Sequence, residues 1–92
     1  MLSFQAFQSV VTQKFPHCNW IFECHEFTVI GEQYFASIVN SRIITAYSCQ
    51  YQSWSVGLLS KNREYVQSWQ YKHAKSFVLI CTQIERNIQL KF

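Results

Sequence analysis

Two histidines and two cysteines form the most suggestive chemical pattern, because His17–Cys18 and Cys24–His25 read as HC-x5-CH. Imidazole and thiolate groups bind zinc, but structural zinc sites usually pair their ligands through two to four intervening residues. The segment around Cys24 also predicts a strand, in which neighbouring side chains point to opposite faces. We therefore predict no metal site and interpret these cysteines as small buried side chains. The remaining cysteines are interpreted in the same way: Cys49 and Cys81.

Other catalytic chemistries also lack their usual residues. A cysteine or serine nucleophile needs an oriented histidine and an oxyanion-binding turn, whereas His73 falls on an apolar helical stripe where a core side chain is expected. Two-metal phosphoryl transfer needs clustered carboxylates, and the chain contains no Asp. Gly31 and Gly57 stand alone, so no phosphate-binding glycine loop is present. We predict that the protein is not an enzyme and needs no cofactor; a thiol or zinc enzyme is the third hypothesis.

A basic and aromatic stretch, SKNREYVQSWQYKHAKSF over residues 60–77, favours binding over catalysis. It holds four of the eight Lys and Arg residues, with two tyrosines, one tryptophan and a single acid. Lysine and arginine attract phosphates, and aromatic rings stack on unpaired bases. The alternative is a solvated amphipathic helix with scattered lysines. The candidate binding residues are Lys61, Arg63, Tyr65, Lys72 and Lys75, with Arg42 and Trp54 as second choices.

The overall composition suits a protein that docks on a partner. Charged residues make up 14% of the chain, and ten Gln and ten Ser supply neutral polarity. An average soluble domain has about 25% charged residues. Residues 1–46 carry a net charge of −1 and residues 47–92 carry +4, a mild tilt for a nucleic-acid-binding protein. A weakly charged surface opposes association poorly, although a Gln-rich composition alone explains the same numbers.

The elements that must position these side chains follow from hydrophobic periodicity. Helical spacing relates Phe4, Phe7, Val11 and Phe15, and Pro16 ends that helix. The segment NWIFECHEFTVI predicts a strand with a bulge near residues 24–26. The segments YFASIV and RIITAYSCQY predict a hairpin around residues 40–41, and SWSVGLL either continues that sheet or leads to the next helix.

The last third of the chain predicts one long helix over residues 61–86, with its lysines opposite an apolar stripe. The stripe consists of Val66, Trp69, His73, Phe77, Ile80 and Ile84. We therefore predict a single compact α+β domain over residues 1–92. Its antiparallel sheet has about three strands and is flanked by an N-terminal and a C-terminal helix, in the order α-β-β-β-α.

The sequence also predicts a cytoplasmic protein. Its first residues, MLSFQAFQSVV, lack the basic and continuous apolar regions of a signal peptide. No run approaches the roughly 18 apolar residues of a membrane-spanning helix, and four cysteines without a secretion signal indicate reduced thiols.

In size, in its predicted α-β-β-β-α plan and in its lack of catalytic motifs, the chain resembles the small proteins with which phages inhibit bacterial CRISPR effector complexes. The resemblance implies that a surface such as KNREYVQSWQYKHAK docks on a multi-subunit protein–RNA complex in the host cytoplasm. It would block nucleic-acid access through contacts to protein subunits and to guide RNA. Many such inhibitors are acidic DNA mimics, whereas this chain is basic, so a different mode of contact is implied. The alternative function is a stand-alone regulator that binds nucleic acid directly; neither function involves a membrane or a small-molecule substrate.

Overall fold

The computed structural model describes residues 2–90. Within them, five strands form one antiparallel sheet in the order β1-β2-β3-β4-β5. The predicted α+β class with two helices is confirmed, but the prediction of about three strands is wrong. The elements are α1 (Phe4–Lys14), β1 (Trp20–Phe27), β2 (Gly31–Ile38), β3 (Ile43–Ser48), β4 (Ser53–Leu59), β5 (Tyr65–Lys72) and α2 (Val78–Gln89).

Helix α1 forms where the sequence predicted it. The side-chain oxygen of Ser3 accepts a hydrogen bond from the backbone N–H of Ala6 at 3.1 Å and caps the first turn. Phe4, Phe7 and Val11 are buried against the sheet. The helix ends at Lys14, two residues before Pro16, because proline cannot continue the ladder of hydrogen bonds.

The first three strands also follow local signals, with one exception. The predicted hairpin between β2 and β3 is confirmed, and Asn40 in its turn has a left-handed φ of 59°. The predicted bulge near residues 24–26 is wrong, because β1 pairs with β2 without interruption from Trp20 to Phe27. As an edge strand exposed on both faces over much of its length, β1 is not required to alternate apolar and polar residues. The irregularity in the sheet lies between Leu58 and Leu59 instead.

The predicted long helix over residues 61–86 is wrong. Residues 65–72 form strand β5, which pairs with β4, and α2 begins only at Val78. Trp69 and Tyr71 are two residues apart in the strand and both lie on the helix-covered face of the sheet, whereas Val66 is 71% exposed. His73, interpreted as a core residue, is exposed and has a φ of 53°. Pairing with the apolar strand β4 outweighed the local helical spacing, as tertiary context commonly does.

Both helices pack on one face of the sheet and leave the other face open. The core is centred on Trp54, which is 1% exposed. Its ring contacts Phe7 from α1 at a centroid distance of 5.1 Å and Phe77 beside α2 at 5.4 Å. The open face carries small side chains at its centre, including Ala46, Ser55 and Gly57. Among the described residues, neither helix has the length and apolarity that crossing a membrane requires.

Candidate functional site

The candidate cations lie at opposite ends of the sheet. Lys61 and Arg63 lie in the β4–β5 turn, whereas Lys72 ends β5 and Lys75 follows it. The seven residue steps from Tyr65 to Lys72 span about 23 Å at a strand rise of about 3.3 Å per residue. The predicted continuous cationic helix face is therefore wrong, because the strand separates its lysines into two groups.

The topology of the sheet places Arg42 at the same end as the first group, Lys61 and Arg63. The β2–β3 turn, residues 39–42, and the β4–β5 turn, residues 60–64, lie at the same end of the sheet. Nη1 of Arg63 donates a hydrogen bond to the carbonyl oxygen of Ser41 at 3.2 Å, which links the two turns. Arg42, Lys61 and Arg63 therefore display their positive charges together, and we call them the turn cations.

Hydrogen bonds hold the second of these turns in one conformation. The side-chain oxygen of Ser60 accepts from the backbone N–H groups of Asn62 and Glu64 at 3.2 and 3.3 Å. The backbone of Arg63 has a left-handed φ of 64°, which costs a residue with a side chain about 1–2 kcal/mol. An arginine held in this conformation presents its side chain from a fixed position.

An open cavity of about 720 Å³ lies between the two turns, the α1–β1 loop and the carboxyl end of α2. The three turn cations and His17 line it, and among residues 2–90 no acidic side chain belongs to the lining. Such a lining suits an anion that carries an apolar or ring-shaped group. The apolar part of the lining includes Ile38, Val39, Ile43, Ile88 and Leu90.

A buried side-chain amide in the lining of this cavity has an unpaired hydrogen-bond donor. Asn87 is 1% exposed, and its Oδ1 accepts a hydrogen bond from Nε2 of Gln83 at 3.0 Å. Nδ2 of Asn87 has no hydrogen-bond partner in residues 2–90, and leaving a buried donor unpaired costs about 1–3 kcal/mol. Sequence reasoning missed this residue, although Asn87 continues the helical face of Ile80 and Ile84 and so signals a buried polar group.

The carboxyl end of α2 gives the turn cations a structural role as well. Asn87 and Ile88, from the last turn of α2, line the same cavity as these cations. The final carbonyl groups of a helix carry partial negative charge, and a nearby cation stabilises them by about 0.3–1 kcal/mol. Any variant of the turn cations must therefore be assayed for stability as well as for binding.

Of the second group of cations, Lys72 borders a shallow cleft of about 530 Å³ on the open face, whereas Lys75 lines a separate pocket beside Tyr47 and Ala74. Lys72 and His73 line the cleft beside Tyr51, which is 57% exposed and has a ring face available for stacking. Hydroxyl groups form much of the remaining lining, from Ser48, Ser53 and Ser55.

The two candidate aromatic residues have opposite environments. Trp54 belongs to the core and is 1% exposed, so its ring offers almost no surface on which a base could stack. Tyr65 is 56% exposed and its ring lies over Gly57 on the open face. Tyr65 is the candidate aromatic residue beside the turn cations.

The cysteines and histidines of the HC-x5-CH pattern do not converge. Cys24 is directly opposite Tyr34 on the helix-covered face, whereas His25 is opposite Gln33 on the open face. No group of three or more potential metal ligands occurs in residues 2–90. Burial raises the pKa of the half-buried Cys18 thiol, which disfavours the thiolate that binds metals.

Burial of the cysteines was predicted correctly only in part. Cys81 is buried, as predicted, but Cys24 and Cys49 are exposed. Both exposed cysteines lie toward the end of the sheet away from the turn cations, where the helices leave the strands uncovered.

Comparisons with protein families, with curated proteins and with solved structures found no match. Function must therefore be argued from the site alone.

Proposed function

We propose that the protein is a non-enzymatic binding module that docks on a multi-subunit protein–RNA complex in the bacterial cytoplasm and blocks nucleic-acid access. The turn cations would contact a phosphate of the guide RNA or of the incoming nucleic acid. One observation carries the proposal: two hydrogen-bonded turns bring three cations to a single cavity whose lining, within the described residues, has no acid. Phosphate oxygens are strong partners for arginine and lysine at such a site.

Exposed apolar side chains support a protein partner beside the nucleic acid. Val66 is 71% exposed, and Val78 and Leu79 at the start of α2 are 66% and 67% exposed. Apolar and aromatic side chains supply much of the energy at protein interfaces, whereas weakly charged surfaces have little to desolvate. A partner that presents both protein and phosphate accounts for both kinds of surface.

The alternative, a stand-alone nucleic-acid-binding regulator, has its own supporting observation. Lys72 of the second group lies about 23 Å along β5 from Tyr65, whose exposed ring is beside the turn cations. A single strand that crossed the open face would contact phosphate-binding side chains and a stacking ring at each end, Tyr65 at the first and Tyr51 at the second.

A matched pair of variants separates the two functions. Lys61→Gln with Arg63→Gln removes two charges from the first group, and Lys72→Gln with Lys75→Gln removes two from the second. Each immobilised chain is used to capture material from a bacterial lysate, and bound proteins and RNA are identified by mass spectrometry and sequencing. The docking proposal expects a set of proteins that shares one RNA, lost with the first pair and retained with the second. Equal capture by both variants, or capture without RNA, would contradict it.

Salt dependence supplies an independent readout with purified components. Fluorescence anisotropy with a labelled single-stranded RNA is measured over a series of salt concentrations, with urea unfolding of each variant as the control. A direct binder loses affinity steeply as salt rises, with about 0.7 units of log–log slope for each phosphate contact on a single strand. Each two-charge variant would then lower the slope by about 1.4. Weak binding of the free RNA with a flat salt response would exclude the regulator and leave the docking proposal.

A further inference from the structure

Strand β1 is the less protected edge of the sheet. It runs for eight residues, Trp20–Phe27, and among residues 2–90 it pairs with β2 alone. Natural edge strands are usually blunted by charged side chains, especially lysine, by proline or by bulges. The opposite edge, β5, has a register irregularity at its start and Lys72 at its end, whereas β1 contains no Lys, Arg, Pro or bulge, and its charged side chains are Glu23 and Glu26. Of the two edges, β1 is therefore the one open to strand pairing.

The ladder shows which backbone groups of β1 are available. The backbone N–H of Val39 donates to the carbonyl oxygen of Asn19 at 2.8 Å, so with this register the odd-numbered residues of β1 are hydrogen-bonded to β2. The N–H and C=O groups of the even-numbered residues 20–26 point to the free edge. A second strand can therefore pair with β1 only through these residues.

We propose that two copies of the chain pair through β1, antiparallel about a twofold axis at Cys24, to form one continuous ten-stranded sheet. In this register Glu23 lies opposite His25 of the second copy, and Ile21 lies opposite Phe27 of the second copy. The twofold axis repeats each pair. Three hydrogen-bonded residue pairs, 22 with 26, 24 with 24 and 26 with 22, would supply about six backbone hydrogen bonds.

Side-chain chemistry selects this register from its neighbours. Ile21 and Phe27 are 46% and 42% exposed, so each gains from an apolar partner. Within one chain, His25 already pairs with Glu23 at 3.2 Å, and the twofold places a second Glu–His pair beside the first. A shift by two residues in one direction places Glu23 against its own copy, and a shift in the other places His25 against its own copy. Like residues of this kind face each other unfavourably.

The helix-covered side of the seam is compatible with the same register. There Cys24 faces its own copy, and Phe22 faces Glu26 of the second copy. Cys24 and Glu26 are exposed, so the Glu26 carboxylate can remain in water while the backbone pairs. The inference is independent of the proposed function, because no turn cation takes part in the seam.

Charge exchange tests the pairing in solution. Sedimentation velocity over a dilution series up to millimolar concentration should show a monomer–dimer equilibrium. Glu23→Lys should weaken the dimer roughly tenfold, because the two Glu–His pairs across the seam are lost. Glu23→Lys with His25→Glu should restore it, because opposite charges then face each other across the seam. Glu85→Lys, an equal charge change on α2, should leave the dimer unchanged.

A cross-link tests the register. In a chain with the three less buried cysteines changed to serine, Ile21→Cys with Phe27→Cys should form a disulfide-linked dimer on mild oxidation. Each change alone should not, because each position faces the other residue and not its own copy. These residues form a non-hydrogen-bonded pair, whose Cα separation of about 4.5 Å suits a disulfide. A chain that stays monomeric, a dimer insensitive to Glu23→Lys, or polymers that grow with concentration would each overturn the proposal.

Discussion

The Tyr65 ring lies over Gly57 on the open face, and a substitution at Gly57 tests this contact. A methyl group at Gly57 would lie 2.5 Å from Cε1 and 2.8 Å from Cδ1 of the Tyr65 ring, and 3.3 Å from Cγ2 of Ile44. Carbon atoms in contact are normally about 3.5–4.0 Å apart. We therefore expect Gly57→Ala to displace the ring into water, because Tyr65 is already 56% exposed and its side chain moves more easily than the backbone.

The expected loss of stability follows from the buried surface that the ring loses. A little under half of Tyr65 is covered, which for an aromatic side chain is about 100 Å² and about 2.5 kcal/mol at 25 cal/mol per Å². Replacing glycine by alanine in a strand returns about 0.5–1 kcal/mol of conformational entropy. Gly57→Ala should therefore lower the free energy of unfolding by about 1.5–2 kcal/mol in the native chain.

The same change should have the opposite sign once the ring is removed. A Tyr65→Ala background removes the two closest contacts of the methyl group and leaves Cγ2 of Ile44 at 3.3 Å, so Gly57→Ala should raise the free energy of unfolding by about 0.5 kcal/mol. Equilibrium urea unfolding of the four chains closes the double-mutant cycle, and the contact with Ile44 cancels from it. An effect of equal sign and size in both backgrounds would refute the placement of the ring over Gly57.

Three further changes test the core, the strained turn and the unpaired amide, each by urea unfolding. Trp54→Ala should lower the free energy of unfolding by about 3–5 kcal/mol, since it empties the centre of the core; a small loss would contradict its burial. Arg63→Val should be about 1–2 kcal/mol less stable than Arg63→Asn, because asparagine tolerates a left-handed φ and a β-branched residue does not; equal stability would contradict the φ of 64°. Asn87→Leu should cost about 1–3 kcal/mol by leaving the Gln83 amide without its acceptor, whereas Gln83→Met with Asn87→Leu should be neutral or stabilising; equal losses would contradict the pairing of the two amides.

Local sequence signals predicted an element correctly wherever its structure depended only on residues close in the chain. Helix α1 follows from Phe4, Phe7 and Val11 at helical spacing, a serine cap and a proline stop. The β2–β3 hairpin follows from two apolar runs separated by a short polar turn. In both cases residues close in the chain also contact each other or the same surface, so a single sequence contains the information.

The stretch from residue 60 to residue 77 shows where local signals fail. Val66, Trp69 and His73 have helical spacing, yet Trp69 and Tyr71 also have strand spacing, and the sequence does not choose between them. Strand β4 determines that this stretch is a strand. It is buried, with Trp54, Val56 and Leu58 on one face, and its backbone requires a paired strand on each side. Pairing of that kind is decided by a segment several residues away.

The candidate site depends still more on distant contacts. Lys61 and Arg63 were named from their charge and the neighbouring aromatic residues, and Arg42 from its place at a hairpin tip. Their proximity arises because alternate turns of a meander lie at the same end of the sheet. His17 and Asn87 complete the cavity from the two ends of the chain, and no spacing in the sequence relates them to the turns.

The sequence by itself determined the elements whose residues satisfy one another locally: the first helix, the hairpin, the apolar face of α2 and a cationic second half. The tertiary structure alone decided that residues 65–72 would be a strand, that the cations would divide into two groups, and that three of them would share a cavity. The physical reason is that side-chain periodicity specifies which face of an element is buried, whereas the partner that buries it is specified by the whole chain.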